Sequence, residues 1–467
     1  MMVRLAKMCF TGTQTLCRNQ FHASKPTFKS RKLCQSTTLE NDATLYVHWP
    51  FCKRICTFCS FNKFANNNVD HQRMRKCLVT ETQTLLQLAG VNSISSVYFG
   101  GGTPSLAEPW TISSVLNSIS RICHFPCDAE VTLEANPTSV ETDSLRHFHS
   151  AGINRLSLGV QTFNPRGLLL LGRDNTVEDS LQALQTAKSI FPGKVSIDLM
   201  FGRPQQTLDQ WHKELVEALS VCDDHVSLYQ LTLERGTPLY HDVKGGKLSL
   251  PVSDVLAEMY QLAVDTLPAY GFYRYEVANF ARPGAESRHN LSYWNGTQYI
   301  GVGPGAHSRF TTCEEGNQRR QARVQTLEPN SWMKEVESMG HATRQQVPQT
   351  DFQILEEIVM LSLRTANGLT KKRWQTFSPF PKSLSLYDAF KDNLDIQDLV
   401  KSGLLILSEK CIRTTDKGMS VVDSIVPTLL VHLERKMSGN DFNKNKSILV
   451  PELSLTRPPL PLTLRRR

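Results

Sequence analysis

Short apolar runs recur along the first half of the chain, and amphipathic stretches separate them. The run at 45–49, Leu-Tyr-Val-His-Trp, reads as a buried strand stopped by Pro50. Residues 70–90 carry helical periodicity. Residues 94–99 then form an extended run that leads directly into Gly100-Gly101-Gly102-Thr103-Pro104-Ser105. Three glycines at a strand end let the backbone present N–H groups to a ligand with no Cβ in the way. Strands follow at 131–137, 155–161, 195–200 and 226–231, with a helix over 139–150 that is expected to be capped by Gly152. Strands alternating with helices at a spacing of about 30 residues predict βαβ units and a parallel sheet. With this many units, barrel-like closure gathers functional groups at the C-terminal strand ends. Glu134, Gln161 and Asp198 all lie within or at the ends of such strands, so a ligand-binding mouth is expected there.

The pattern changes near 351. Residues 352–361 are strongly helical, and Asn367-Gly368 is a stop signal. A helix then feeds a hairpin, 403–407 and 411–414 around a Ser408-Glu409-Lys410 turn, and a last helix follows Lys417-Gly418. This arrangement is winged-helix-like. It has no dense basic stripe, so nucleic acid is not an expected partner.

The 467 residues suffice for one large domain plus a smaller one, and no stretch of 18 apolar residues predicts a membrane span. The twelve cysteines are scattered, which suits a reducing compartment better than a disulfide framework. The net charge of +8 sits in the two ends: residues 1–39 hold +7 and residues 439–467 hold +4, leaving about −3 for the body. Residues 1–39 are basic, rich in Ser and Thr, and free of acid, the composition of a mitochondrial transit peptide. Residues 431–467 read as a basic, disordered tail.

The candidate chemistry lies at Cys52-Lys53-Arg54-Ile55-Cys56-Thr57-Phe58-Cys59, a C-x3-C-x2-C spacing. Such a loop can wrap three thiolates around one polynuclear centre, and three cysteines leave the fourth iron of a [4Fe–4S] cube open to another ligand. The alternatives at this stage are a Cys3His zinc site that includes His48, and a disulfide, which the odd cysteine count disfavours.

With these motifs the chain resembles the radical S-adenosylmethionine superfamily and, within it, the coproporphyrinogen dehydrogenase branch. The resemblance spans about residues 40–430. It rests on Tyr46-Val47-His48-Trp49-Pro50-Phe51-Cys52, the Gly100–Ser105 motif, the run from Gly152 to Gln161, and Gly301-Val302-Gly303-Pro304-Gly305-Ala306-His307-Ser308. It implies an α/β fold: a partial TIM-like (β/α)6 barrel over 40–275, a connecting segment over 276–350, and a C-terminal winged-helix-like α+β domain over 351–430. It implies that Cys52, Cys56 and Cys59 hold a [4Fe–4S] cluster. Tyr46 and Phe58 would border the cluster, and Gly101, Gly102 and Thr103 would line the methionine end of S-adenosylmethionine. Glu134, Gln161, Arg173 and Asp198 would contact the cosubstrate's amino, ribose and carboxylate groups. The oxygen-independent coproporphyrinogen III oxidases carry a further cysteine two residues past the third ligand, and this chain has Phe61 there. The pattern is similar instead to the HemW-type haem chaperones, as is His289-Asn290-Leu291-Ser292-Tyr293-Trp294, an H-N-x-x-Y-W motif associated with haem in that group. The expectation is therefore a mitochondrial-matrix protein that delivers haem to acceptor proteins and has an electron donor as a further partner. His289, or as a rival His307, would be the axial ligand. A porphyrinogen-modifying enzyme is the alternative, and dimerisation stays open.

Overall fold

The computed structural model describes residues 42–66, 68–314 and 317–441. The expected transit segment, with Cys9, Cys17 and Cys34, and residues 442–467 lie outside the described residues. Six strands match the periodicity: β1 (Asp42–Trp49), β2 (Ser93–Gly101), β3 (Glu130–Ala135), β4 (Arg155–Gln161), β5 (Val195–Phe201) and β6 (His225–Gln230). They pair in sequence order and all in parallel, with a helix packed after each of the first five.

Parallel strands buried on both faces usually read as unbroken apolar runs. Here they alternate, and the structure shows why. Val131, Leu133, Leu156, Leu158, Ile197 and Leu228 face the helices in the main core. Thr132, Glu134, Ser157, Asp198 and Ser227 face a cavity inside the curved sheet. The polar positions are thus an interior lining rather than a solvated outer face.

The sheet does not close. Beyond β6 come β8 (Asn279–Ala281) and β7 (Tyr273–Glu276), both antiparallel. On the other side, β9 (Gln298–Val302) pairs in parallel with β1. It is followed by antiparallel β10 (His307–Glu314), β11 (Asn317–Gln325) and β12 (Thr343–Pro348). The result is one open twelve-stranded sheet with edges at β12 and β7. Residues 276–350, expected as a connection, therefore supply five of its strands. The helix cap expected at Gly152 sits at Ala151, and Gly152 follows in a positive-φ conformation.

The C-terminal elements build a second core around Leu355, Ile358, Trp374, Phe390, Ile412 and Leu429. Helix Leu394–Lys401 feeds the hairpin Leu405–Leu407 and Cys411–Thr414. The last helix, Val422–Asp441, runs past the tail boundary expected at 431. A buried ionic tie joins this part to the sheet: Glu357 accepts from Arg309 at 3.2 Å, Arg320 at 3.1 Å and Gln349 at 2.7 Å.

A second buried carboxylate ties the β9 extension to the first helix. Glu81, on helix His71–Ala89, accepts from Gly303 N at 2.8 Å, Trp332 Nε1 at 3.0 Å and Ala342 N at 2.8 Å. Burial pushes its pKa up to about 7 despite these three donors. Glu81→Ala would orphan all three at about 1–3 kcal/mol each, a loss readable by denaturant unfolding. Because the folded-state pKa is raised, Glu81 contributes stability that is full below its ordinary 4.5 and lost as pH rises through about 7. The stability gap between wild type and variant should therefore narrow from pH 5 to about pH 8.

Candidate functional site

The cysteine loop is fixed at both ends and in the middle. Phe51–Cys52 pairs in parallel with Phe64–Ala65, which closes the loop on itself. Thr57 donates through its N–H to Leu171 O at 3.1 Å and through Oγ1 to Leu170 O at 2.8 Å, and its carbonyl accepts from Leu239 N at 3.0 Å. Cys52 is buried, Cys56 and Cys59 are half-buried, and all three line one cavity of about 840 Å³.

The donor set fits an iron–sulfur cluster. Thr103 Oγ1 donates to Cys52 Sγ at 3.4 Å, and Arg173 Nη1 donates to Cys56 Sγ at 3.6 Å. Burial pushes the Cys52 thiol up to about 11 and raises Cys59, so a cationic centre is what would hold these groups as thiolates. A Cys3His zinc site does not fit. Both ring nitrogens of His48 are engaged elsewhere, Nδ1 with the Tyr46 hydroxyl at 3.1 Å and Nε2 with Asn62 O at 2.7 Å. Among the described residues no three His, Cys, Asp or Glu groups could hold a metal ion. A cluster asks less convergence, because its cysteines bind separate irons.

The glycine run lies against this loop. Gly102 N donates to Trp49 O at 2.7 Å and Thr103 N to Phe51 O at 3.0 Å. Gly101 has φ +116°, and a Cβ there would meet the His48 ring at 2.5 Å; one on Gly102 would meet the Pro50 carbonyl at 2.8 Å. Only glycine lets the two strand ends approach this closely.

Across the cavity, Glu134 accepts from Tyr98 Oη at 2.8 Å and Gly101 N at 3.0 Å. Burial raises its pKa nonetheless. Asp198 is pushed up to about 7, first by burial and then by neighbouring Glu134, against hydroxyl donors from Ser227 and Ser157. Gln161 sits at φ +68°, rare for a residue with a side chain, where the β4–β5 register shifts. Such a bulge re-aims a side chain, and held strain of this kind clusters at functional sites. Arg173 also donates to Gly159 O at 2.9 Å. Phe58 packs against Leu171, Met200 and Leu231. Every site residue anticipated from the sequence lines this one cavity, except His289 and its rival His307.

His289 lies one ring behind the wall. It is wholly buried, stacked on Tyr98 at 5.1 Å and edge-on to Tyr293, and both tyrosines line the cavity. Its Nδ1 is bonded to Ser96 Oγ at 2.8 Å, and its Nε2 has no partner. Burial lowers its pKa to about 3, so the ring is neutral. His307 opens β10 and does not line the cavity.

Three contributors escaped the sequence reading. Tyr98 sits in β2 as an inward alternate position. Glu141 accepts from Asn136 N at 2.8 Å, and Asn136 Nδ2 donates to Thr103 Oγ1 at 3.2 Å, a chain that ends on Cys52 Sγ. The Thr138-x-x-Glu141 helix start was its available signal. The C-terminal segment 419–424 completes the wall, held where Arg274 Nη1 donates to Ser420 Oγ at 3.2 Å and Arg364 pairs with Asp423. No local pattern announces that contact.

If the loop holds the cluster, Cys52→Ala, Cys56→Ala or Cys59→Ala should each abolish bound iron and visible absorbance after anaerobic reconstitution. Cys222→Ala, buried against the helix layer, should leave both intact.

Comparison with known proteins agrees with this geometry. The Radical SAM superfamily profile matches residues 46–217, and the HemN C-terminal domain profile matches residues 350–421. Radical S-adenosyl methionine domain-containing protein 1, mitochondrial, of Bos taurus is 49% identical over 392 residues, covering 84% of this chain and 88% of that protein. Heme chaperone HemW of Bacillus subtilis (strain 168) is 32% identical over 389 residues, covering 83% and 99%. Among solved structures, coproporphyrinogen III oxidase (HemN) from Escherichia coli superimposes with a TM-score of 0.67 at 25% identity, covering 84% of this chain and 90% of that one. The chain therefore belongs to the radical SAM superfamily, in the group that contains mitochondrial radical SAM domain-containing protein 1 and the HemW haem chaperones.

Proposed function

We propose that the protein is a haem chaperone of the mitochondrial matrix that binds haem, a [4Fe–4S] cluster and S-adenosylmethionine, and passes haem to acceptor proteins. The observation that carries this reading is His289. Nδ1 and Ser96 Oγ share one hydrogen bond, and the tautomer with its proton on Nδ1 leaves the Nε2 lone pair unspent in a buried position. A neutral, oriented imidazole is what an axial haem ligand requires. Phe61 in place of a further cysteine and the HemW relatives point the same way.

When bound, the cluster supplies an open iron and one electron to the cosubstrate. The chain's own residues do the rest. Cys52, Cys56 and Cys59 hold the cluster, and Thr103 and Arg173 orient two of the sulfurs through their hydrogen bonds. Arg173 also offers a guanidinium fork to a carboxylate. Glu134 and Asp198 offer acceptors to amino and ribose groups.

Two outcomes are expected. Haemin titration of the reconstituted protein should saturate slowly, because the ring must first be uncovered, and His289→Ala should lose the axial-ligand spectrum; undiminished binding in that variant would sink the ligand role. Because Asp198 is protonated below about pH 7, S-adenosylmethionine should bind more tightly as pH rises through 7, and Asp198→Asn should flatten that profile. The likeness to the E. coli oxidase keeps a second reading, a tetrapyrrole-modifying enzyme. Formation of 5′-deoxyadenosine that depends on coproporphyrinogen, with weak haem binding, would install it.

A further inference from the structure

A line of polar side chains starts at Asp198 and follows the inner face of the sheet, and the reading above uses only its first member. The parallel register builds it. Asp198 lies opposite Ser227, and Ser196 lies opposite His225, on β5 and β6, where alternate positions share a face. The Ser227 hydroxyl is bonded to Asp198. Ser227 Oγ lies 3.2 Å from Ser196 Oγ, which lies 2.7 Å from His225 Nδ1. On the far side of the ring, Nε2 lies 2.8 Å from Tyr275 Oη, on β7. Ser196 and Ser227 are 3% exposed and His225 2%, whereas Tyr275 reaches 9% and stands outside the cavity lining. The chain thus leads from the cavity through its wall.

The carboxylate end fixes the direction of every bond. An ionised carboxylate only accepts, so Ser227 donates to Asp198 and Ser196 donates to Ser227. His225 Nδ1–H then donates to Ser196, and Tyr275 donates to Nε2. The ring has to be neutral to accept at one nitrogen and donate at the other, and burial, with the Arg155 guanidinium, holds its pKa well below 6.5. The Asn290 side chain and the Ser287 N–H face the Tyr275 oxygen, which leaves its hydroxyl hydrogen for the ring. Isolated polar pairs would satisfy burial without a shared direction; here four consecutive links point the same way. Glu134, Tyr98 and Tyr229 face Asp198, and Arg155 and Glu276 face Tyr275. These neighbours bias the two end groups and do not break the line.

We propose that Ser227, Ser196, His225 and Tyr275 form a proton relay between Asp198 and solvent behind the cavity wall, through which Asp198 gains or loses its proton while a ligand occupies the cavity. The transfer is balanced. The Tyr275 O–H breaks as an N–H forms at Nε2, Nδ1 passes its proton to Ser196, Ser196 to Ser227 and Ser227 to Asp198, and solvent re-protonates Tyr275. One proton moves and no electron does. A neutral imidazole, with two distinct nitrogens, is the side chain suited to such a shuttle. The site gives the relay its use. Asp198, pushed up to about 7, changes charge near neutrality, and a ligand in contact with it excludes the water that would otherwise exchange its proton. The proposal rests on the cosubstrate part of the reading above and is independent of haem.

The test uses the full, anaerobically reconstituted protein, with S-adenosylmethionine as the probe. Association is followed by stopped flow, and dissociation by a chase of labelled with unlabelled S-adenosylmethionine, at pH 6 and pH 8. Wild type is compared with Tyr275→Phe and with His225→Asn, in which the amide keeps a donor near the Nδ1 position and cuts the link to Tyr275. At pH 6 Asp198 is mostly protonated, and both rate constants should fall roughly tenfold or more in each variant. Their ratio, the affinity, should stay the same, because a relay changes rates and not equilibria. At pH 8 the variants should match the wild type. Tyr260→Phe, which removes a hydroxyl bonded to Val277 O outside the chain, should match it at both pH values. Unchanged rates at pH 6 would overturn the proposal, as would an affinity loss at both pH values, the mark of a merely structural role. Failure of the wild type to bind S-adenosylmethionine would overturn the cosubstrate reading and the relay with it. Normal binding with unchanged rates would sink the relay alone.

Discussion

The close approach of two strand ends governs the rest of the site. β1 and β2 run side by side, and at their C-terminal ends the backbone of Gly101–Thr103 crosses beneath His48, Pro50 and Phe51. Any Cβ at Gly101 or Gly102 would push the two loops apart. With the glycines in place, Thr103 reaches Cys52 Sγ, Gly101 N reaches Glu134, and the cysteine loop is tied to the opposite wall of the cavity. His48, which the sequence offers as a metal ligand, is instead a spacer here: it bridges Tyr46 and Asn62 and sets the height of the loop.

The second constraint is the polar interior. A parallel sheet that buries Glu134, Asp198, Ser157 and Ser227 on one face must satisfy them or leave them to a ligand. Protein donors reach both carboxylates, yet burial still raises them, so a further donor or a cation in the cavity would favour their charged forms. The alternation in strands 131–135 and 195–201 can be read from sequence while its meaning cannot. A period of two states that one face is polar; it does not distinguish solvent from a lined cavity.

The six parallel strands, the glycine turn and the cysteine loop were legible because each is written locally, in alternation, φ requirement or ligand spacing. The extension through β9 to β12 was not. Residues 317–325, N-Q-R-R-Q-A-R-V-Q, look like surface loop, and their strand is specified by neighbours: Arg320 and Arg309 are drawn inward by Glu357, more than 35 residues away in sequence. Gln161 was identified as a ligand-facing residue from its position, but its left-handed backbone depends on the register shift against β5, which only the paired strand reveals. The depth of His289 was invisible for the same reason, since an H-N-x-x-Y-W helix looks amphipathic until β2 is laid across it.

That depth matters, because Tyr98 serves both halves of the site. Its hydroxyl donates to Glu134, a carboxylate on the cavity wall, while its ring stacks on His289. Uncovering Nε2 of His289 requires Tyr98, Tyr293 or the helix Arg288–Trp294 to shift. If Tyr98 moves, Glu134 loses its shorter hydrogen bond and is left a less satisfied buried group. A hydrogen-bond donor bound in the cavity at Glu134 would replace that lost stabilisation. Occupancy of the cavity at Glu134 and exposure of the imidazole would thus draw on one side chain, and linkage would make any such effect reciprocal.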